Sequence, residues 1–328
     1  MKFASATAIG LALLVTAAAA PAFADDSLGS GLTMYFQEGG NPGTGSVLAR
    51  TNGARDAAKA LGIKLTEQYS GWQPEVMLNQ FKEAVAAKPT CIEIMGHPGD
   101  AFTPLVDDAE SQGIIVTSGN APLTKLMDKY QSKGFGYAGS IVYEGGVVTA
   151  KSMIEFGGLK KGDHALEYGL FGQGERSQSD QGLFDTLVKA GLEVDKVPIA
   201  AEADHDATLA VPTLVAYIQA HPDLKAIGTQ HGEITGIMPQ ALQKAGKKAG
   251  EITFGGIDLA PATVDGLKSG YISVTFDQEL YYQGFLPVQQ CVLSKKYGLA
   301  GVFTNTGVST VTAKTIGALE ALIKAGYR

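Results

Sequence analysis

The chain is sparing with the residues that most active sites are built from. In 328 residues it has two cysteines, one tryptophan and five histidines. His97, His164, His205, His221 and His231 show no metal-ligand spacing and no H-E-x-x-H pair, so no metal is expected. There is no phosphate-cradling G-x-x-x-x-G-K-[ST] loop and no G-x-S-x-G elbow. Gly43-Thr44-Gly45 starts like a dinucleotide fingerprint, but Leu48 stands where its third glycine belongs, so the segment reads as a loop before a helix and no cofactor is expected. Basic charge is also short: 26 Lys and Arg against 33 Asp and Glu, a net of −7. With no basic patch, nucleic acid and anionic membrane surfaces are poor partners. Cys91 opens an apolar strand and Cys291 sits in a helix-like segment, and both are expected as buried free thiols.

Long apolar runs are missing except at one place. Lys2 begins a short charged region, Ala8 to Ala20 form a mostly apolar stretch, and Ala22-Phe23-Ala24 ends as a small-x-small cleavage site. This reads as a secretory signal peptide over residues 1–24. Asp25 follows, not Cys, so no lipid anchor is expected. No later stretch approaches the ~20 apolar residues of a membrane span. An exported α/β protein works away from the cytoplasmic ATP and NAD pools, which removes most functions otherwise suggested by that class.

What is present is strand–helix alternation. Leu32–Phe36, Ile63–Gln68, Cys91–Met95 and Ile114–Thr117 read as strands. Ser46–Leu61, Pro74–Ala87 and Pro104–Gln112 read as the helices between them. The theme restarts at Tyr143–Phe156, with strands at His164–Gly169, Val197–Ala200, Ala226–Gly228, Thr253–Ile257 and Ile272–Phe276. Helices are expected at Ser177–Ala190, Ala207–Ala220, Ile234–Ala245 and Tyr281–Tyr297. This pattern predicts α/β architecture with parallel sheets covered on both faces, used twice along the chain.

In such sheets ligands bind beyond the carboxyl ends of the strands. The polar residues there include Gln37, Glu38, Asn41, His97, Asn120, Glu175, Arg176, Gln230, His231, Glu233, Asp258, Asp277 and Gln278. Planar donors and acceptors of this kind suit a polyhydroxylated ligand. Trp72 lies in a post-strand loop, where it either packs or stacks on a sugar face. Glu202, Asp204, His205 and Asp206 read as a solvated loop, with Asp204 or Asp206 capping the next helix. His164 and His221 read as structural or surface residues.

Several segments resemble the periplasmic sugar-binding proteins of ABC transporters related to ribose-binding protein. They are Asn41-Pro42 with Asn52-Gly53-Ala54-Arg55-Asp56-Ala57-Ala58, Lys88-Pro89-Thr90-Cys91-Ile92, Gly113-Ile114-Ile115-Val116-Thr117, Tyr137-Ala138-Gly139-Ser140, Gly256-Ile257-Asp258 and Asp277-Gln278-Glu279. They span most of the chain in family order. The resemblance implies two Rossmann-like doubly wound lobes joined by a three-crossing hinge, near Gly139, Glu279 and Val308. It implies an N-terminal lobe of 25–138 plus 279–307 and a C-terminal lobe of 139–278 plus 308–328. By position it implies ligand roles for Gln37, Asn41, Asn120, Arg176, His231, Asp258 and Gln278, with Trp72 or Phe36 as stacking surface. The family's aromatics after Asn-Pro are absent here, and Ser118-Gly119-Asn120 replaces its Asp-Arg pair, so a standard ribose pocket is not expected.

The implied function is periplasmic capture of a monosaccharide or polyol and delivery to the permease of an ABC importer, without catalysis. Rival readings are a ligand-loaded signal to a chemoreceptor, an amino-acid or autoinducer binder, and a secreted hydrolase. The last would need paired carboxylates across a scissile bond, and Glu38, Glu175 and Asp258 do not define a pair.

Overall fold

The structure is a computed structural model, and it describes residues 27–328 apart from Thr44, Pro98 and Val308. The predicted signal peptide and the expected hinge residue Val308 lie outside the described residues. The first run of elements is β1 (Thr33–Gly39), α1 (Gly45–Leu61), β2 (Lys64–Tyr69), α2 (Pro74–Ala86), β3 (Cys91–Ile94), α3 (Gly99–Ser111), β4 (Ile115–Gly119), α4 (Thr124–Tyr130) and β5 (Tyr137–Gly139). The second is α5 (Val142–Gly157), β6 (His164–Gly169), α6 (Gln178–Lys189), β7 (Glu193–Pro198), α7 (Ala201–His205), α8 (Ala210–Ala220), β8 (Leu224–Gly228), α9 (Gly232–Lys244), β9 (Thr253–Ile257), α10 (Pro261–Ser269) and β10 (Val274–Asp277). The chain closes with α11 (Leu280–Tyr297), β11 (Phe303–Asn305), β12 (Ser309–Val311) and α12 (Glu320–Lys324).

These strands make two six-stranded sheets, ordered β11-β5-β4-β3-β1-β2 and β12-β10-β9-β8-β6-β7. All pairings are parallel except β10 with β12. The chain passes between the sheets three times: from β5 to α5, from β10 to α11, and from β11 to β12. The α/β class with parallel sheets read from the alternation, and the two doubly wound lobes that the resemblance implies, are therefore the observed ones. β1 lies between β2 and β3, and β6 between β7 and β8, so each sheet has its switch point beside its first strand.

Strand alternation sends successive side chains to opposite faces, and both faces of each sheet are buried. In β3, Ile92 and Ile94 join Phe81 and Phe102 under α2 and α3. Cys91 faces the other way, with Met34 and Phe36, toward α1 and α11. In the second sheet Ile227 and Phe254 face α8 and α9, while Ala226 and Val274 face α5 and α6.

The helix pair α1/α11 packs with almost no side chain between the backbones. A Cβ on Gly53 would collide with the Tyr281 carbonyl, and one on Gly284 with the Arg50 carbonyl. The same device recurs in α5/α6, where Gly146 meets the Ser179 carbonyl and Gly182 the Tyr143 carbonyl. Only glycine permits this approach.

Several expectations are corrected here. Cys91 and Cys291 form a disulfide, with Cα atoms 6.0 Å apart. Packing α11 on the first sheet lays Cys291 over the start of β3, a proximity that sequence separation hides. The strand expected at 197–200 is β7, Glu193–Pro198. It is an edge strand with mostly exposed charges, so the apolar signal was weak and displaced. The helix expected over 207–220 begins as a 3₁₀ turn at Ala207–Leu209 before α8. Asp206 does cap that turn, accepting from the Thr208 amide at 3.0 Å. Asp204 is no solvated residue: it is 5% exposed and holds a buried charge network. His164, on the second sheet's edge strand pair, sits between Asp195 (3.1 Å) and Asp223 (3.0 Å), away from the carboxyl ends.

Candidate functional site

A cleft with an empty volume of about 750 Å³, its open mouth included, lies between the carboxyl ends of the two sheets. The two layers meet around it. A Cβ on Gly45 of α1 would strike Ala260, just before α10. Glu175 of the second layer accepts from the backbone amide of Leu123 (2.7 Å) and from the amide (3.4 Å) and hydroxyl (3.2 Å) of Thr124, on the first. This is a closed arrangement.

Of the residues assigned to the ligand by sequence, Trp72, Asn120, Arg176, His231, Asp258 and Gln278 line the cleft. Gln37 and Asn41 do not. On β1 the alternation turns Gln37 toward α2, where its amide donates to the Met77 carbonyl at 2.8 Å. Asn41 lies in the exposed loop after β1, against Gly71. The cleft instead receives Glu38, whose side chain shares the β1 face of Met34 and Phe36.

Asp258 follows β9 in left-handed backbone, φ 69°. Its amide donates to the Phe276 carbonyl (2.8 Å), and its own carbonyl accepts from the Thr275 hydroxyl (2.9 Å). Non-glycine residues in this region are uncommon and cluster at functional sites. Six occur among the described residues; Trp72, Asn120 and Asp258 line the cleft, and Glu279 sits in the second crossing. Burial pushes the Asp258 carboxyl up to about 6, against a lowering hydrogen bond from Gln278. That bond, from Gln278 Nε2 to Asp258 Oδ1, is 2.8 Å long.

Gln278 continues the network into the crossings. Its Oε1 accepts from Ser140 Oγ of the first crossing at 3.0 Å. Its carbonyl accepts from Gln283 Nε2 at 3.4 Å, and Gln283 also donates to Thr306 Oγ1 of the third crossing at 3.2 Å. All three crossings are thus joined, within hydrogen-bond distance, to one carboxylate on the wall of the cleft. From outside, Arg328 pairs with Asp277 (2.7 Å) and Glu279 (3.0 Å) of the second crossing.

Arg176 is buried, its guanidinium 5.2 Å from the Trp72 ring centroid. It donates to Asp204 Oδ2 (2.8 Å), Asp204 Oδ1 (2.9 Å) and Gln173 (2.8 Å). Three of its five N–H groups are engaged, leaving two for other acceptors. His231 Nε2 bonds to Asp204 Oδ1 at 3.0 Å, while its Nδ1 accepts from the Ile234 amide at 3.4 Å and caps α9. Both ring nitrogens are thus occupied within the protein. His231 lines the cleft while bonded to Asp204. Burial would raise the Asp204 carboxyl, but its hydrogen bonds and charge contacts with His231 and Arg176 outweigh that and hold it far below the usual range.

Trp72 is reached through a glycine pair. A Cβ on Gly39 would enter its six-membered ring, and one on Gly40 would crowd its Nε1. The ring stacks on His97 at 5.6 Å between centroids. Burial, with the nearby Arg176 charge, holds His97 well below its ordinary value, so it is neutral. Asn120 keeps a buried Oδ1 with no hydrogen-bond partner, beside the cleft.

Sequence reasoning overlooked Arg50. It is a cleft-lining residue on the buried stripe of α1 that also holds Val47, Ala54, Ala57 and Ala58. It is 1% exposed and donates to the Gln37 carbonyl at 2.9 Å, to Glu93 and to the Met95 sulfur. Its guanidinium lies 4.8 Å from the Phe36 ring centroid. The available signal was one charge within an otherwise small, apolar helix stripe. Glu93 is wholly buried, and burial lifts its carboxyl to about 7 even with Arg50 alongside. No group of three or more His, Cys, Asp or Glu residues among the described residues could hold a metal ion. No helix of the described residues is long and apolar enough to cross a membrane.

Comparison with known proteins places this geometry. The chain is 26% identical over 220 residues to the xylose/arabinose-binding protein XylF of Sulfolobus acidocaldarius, covering 64% of this chain and 53% of that one. It spans about half the length of that curated relative. Among solved structures it resembles a galactofuranose-binding protein (TM-score 0.80, 17% identity, 90% of this chain and 100% of that chain). It also resembles an ABC transporter solute-binding protein of Agrobacterium vitis with bound D-fucose (TM-score 0.78, 23% identity, 89% and 99%). A third likeness is the solute-binding protein of Burkholderia graminis in complex with D-arabinose (TM-score 0.76, 21% identity, 88% and 97%). These likenesses show a shared fold. The family model for the periplasmic binding protein domain matches residues 48–296, and the chain belongs to that family of extracytoplasmic solute-binding proteins.

Proposed function

We propose that this protein captures a monosaccharide or polyol in the cleft and presents it to the permease of an ABC importer, from the periplasm, after loss of residues 1–24. The observation that carries the reading is the bond path from Asp258 through Gln278 to all three crossings. A ligand hydroxyl on Asp258 then bears directly on the segments about which the layers would open. The lobes divide at those crossings, as 25–138 plus 279–307 and 139–278 plus 308–328.

Asn120 Oδ1, the Asp258 carboxylate and the remaining Arg176 N–H groups offer acceptors and donors in the cleft. Charge-assisted hydrogen bonds of this kind contribute roughly 1.5–3 kcal/mol each. Relatives recorded with D-arabinose, D-fucose and myo-inositol support the choice of ligand class.

A thermal-shift panel of D-arabinose, D-xylose, D-fucose, D-glucose and myo-inositol tests this. A true ligand at about 100-fold over its dissociation constant adds about 2.7 kcal/mol of stability. A panel of pentoses, hexoses and polyols that leaves the melting temperature unmoved refutes sugar capture.

A further inference from the structure

Glu38 stands at the end of β1, fully buried, and lines the cleft. Neither carboxyl oxygen has a hydrogen-bond partner, and the Thr51 hydroxyl of α1 faces it without completing a bond of good geometry. A buried acceptor left unpaired is costly, and the cost is removed by whatever brings donors to it. Nothing in the surrounding protein does so. Arg50 of α1, the adjacent cation, donates to Glu93, the Gln37 carbonyl and Met95, and to neither oxygen of Glu38.

We propose that Glu38 is a ligand-contacting residue, accepting hydrogen bonds from a vicinal pair of hydroxyls on a neutral polyol held in this cleft. The inference rests on the capture reading and sharpens it. Two carboxylate oxygens on one carbon match two neighbouring O–H donors, as they match the two N–H groups of a guanidinium. With Asp258 on the second layer, Glu38 on the first gives the ligand one carboxylate from each side. An ammonium group is a poorer occupant, because the Arg50 guanidinium bears on the same carboxyl.

The surroundings also set a proton count. Burial pushes Glu38 up to about 8; Arg50 lowers it, Glu93 of β3 raises it, Thr51 lowers it and Glu67 of β2 raises it. Tyr69 of β2 and Arg55 of α1 also face this charge. Across the cleft stand Glu233, Asp258 and Arg176. At pH 7 the empty site therefore keeps Glu38 protonated. A ligand whose hydroxyls donate to both oxygens requires the carboxylate, so the Glu38 proton leaves to solvent as the sugar enters. Affinity then rises with pH up to about 8 and levels above it. Asp258, at about 6, is already ionised in that window.

Titration calorimetry on the full mature chain tests this at pH 7, with D-arabinose first and then the other panel sugars. It is run in phosphate and in Tris, whose ionisation enthalpies differ. The expected result is a binding enthalpy that depends on buffer, equivalent to release of close to one proton. Glu38→Gln should abolish the buffer dependence and weaken binding at pH 8.5 about tenfold or more. A buffer-independent enthalpy in the unmodified protein overturns the proposal, and needs no variant to fold. Buffer dependence that survives Glu38→Gln also overturns it, assigning the proton to Glu93. Heat with no proton exchange leaves sugar capture standing, whereas no heat with any panel sugar overturns capture and this inference together.

Discussion

Removing Asp204 should unbalance the second layer more than any exposed charge could. Its carboxylate accepts two bonds from Arg176, at 2.8 and 2.9 Å, and one from His231 at 3.0 Å. Arg176 and Asp204 are 9% and 5% exposed, so water cannot replace the lost partner. Breaking a buried pair from one side typically costs about 3–5 kcal/mol, because the remaining charge is left uncompensated. Asp204→Ala should lose about that much in urea unfolding analysed by linear extrapolation. Glu320→Ala, which removes the exposed pairs with Lys268 and Lys324, should change stability by less than about 1 kcal/mol. The pH dependence has a definite sign. The folded carboxyl is held below the unfolded value of about 3.9, so its stabilisation is complete at neutral pH. That stabilisation is lost as pH falls below about 4, and Asp204→Asn should flatten the acid limb there. An Asp204→Ala variant within about 1 kcal/mol of the parent would refute the assignment of Asp204 as the counter-charge that holds Arg176 over Trp72.

Asp258→Ala should lower sugar affinity at least about tenfold, a loss of roughly 1.4 kcal/mol, with the fold retained; unchanged affinity by calorimetry would remove Asp258 from the site. Replacing Cys91 and Cys291 together by serine should cost about 2–4 kcal/mol, read as a lower urea midpoint, by freeing the unfolded chain; equal midpoints would show that the cross-link adds no stability. Glu175→Ala removes the bonds that tie the second layer to Leu123 and Thr124 across the cleft, and should speed sugar release in stopped-flow more than it slows capture. An unaltered release rate would mean the closed form is held by other contacts.

Much of the architecture was legible because its signals are local. A helix repeats its apolar positions within one or two turns, and the α1 stripe of Val47, Ala54, Ala57 and Ala58 is plain in the sequence. Buried parallel strands are short apolar runs, as β9 is at Thr253–Ile257. Edge elements carry less of that signal. β7 exposes Glu193, Asp195 and Lys196, and β11 and β12 are three residues each, so pattern reading displaced the first and missed the others.

The sequence by itself determined the alternation, and with it the α/β class with parallel sheets covered on both faces and the rule that the ligand end lies beyond the strands. It also put Asp258 and Gln278 among the polar residues after strands, and both line the cleft. Only the tertiary structure decided which neighbour faces inward. One step along β1 separates Gln37, turned to the Met77 carbonyl, from Glu38, which lines the cleft at the register shift against β2 between Gln37 and Gly39. Likewise Cys291 meets Cys91, and Asp204 meets Arg176 and His231, only because helices and loops far apart in the chain pack together. Long-range pairing of this kind leaves no periodic trace in one sequence, so it was visible only once the layers were assembled.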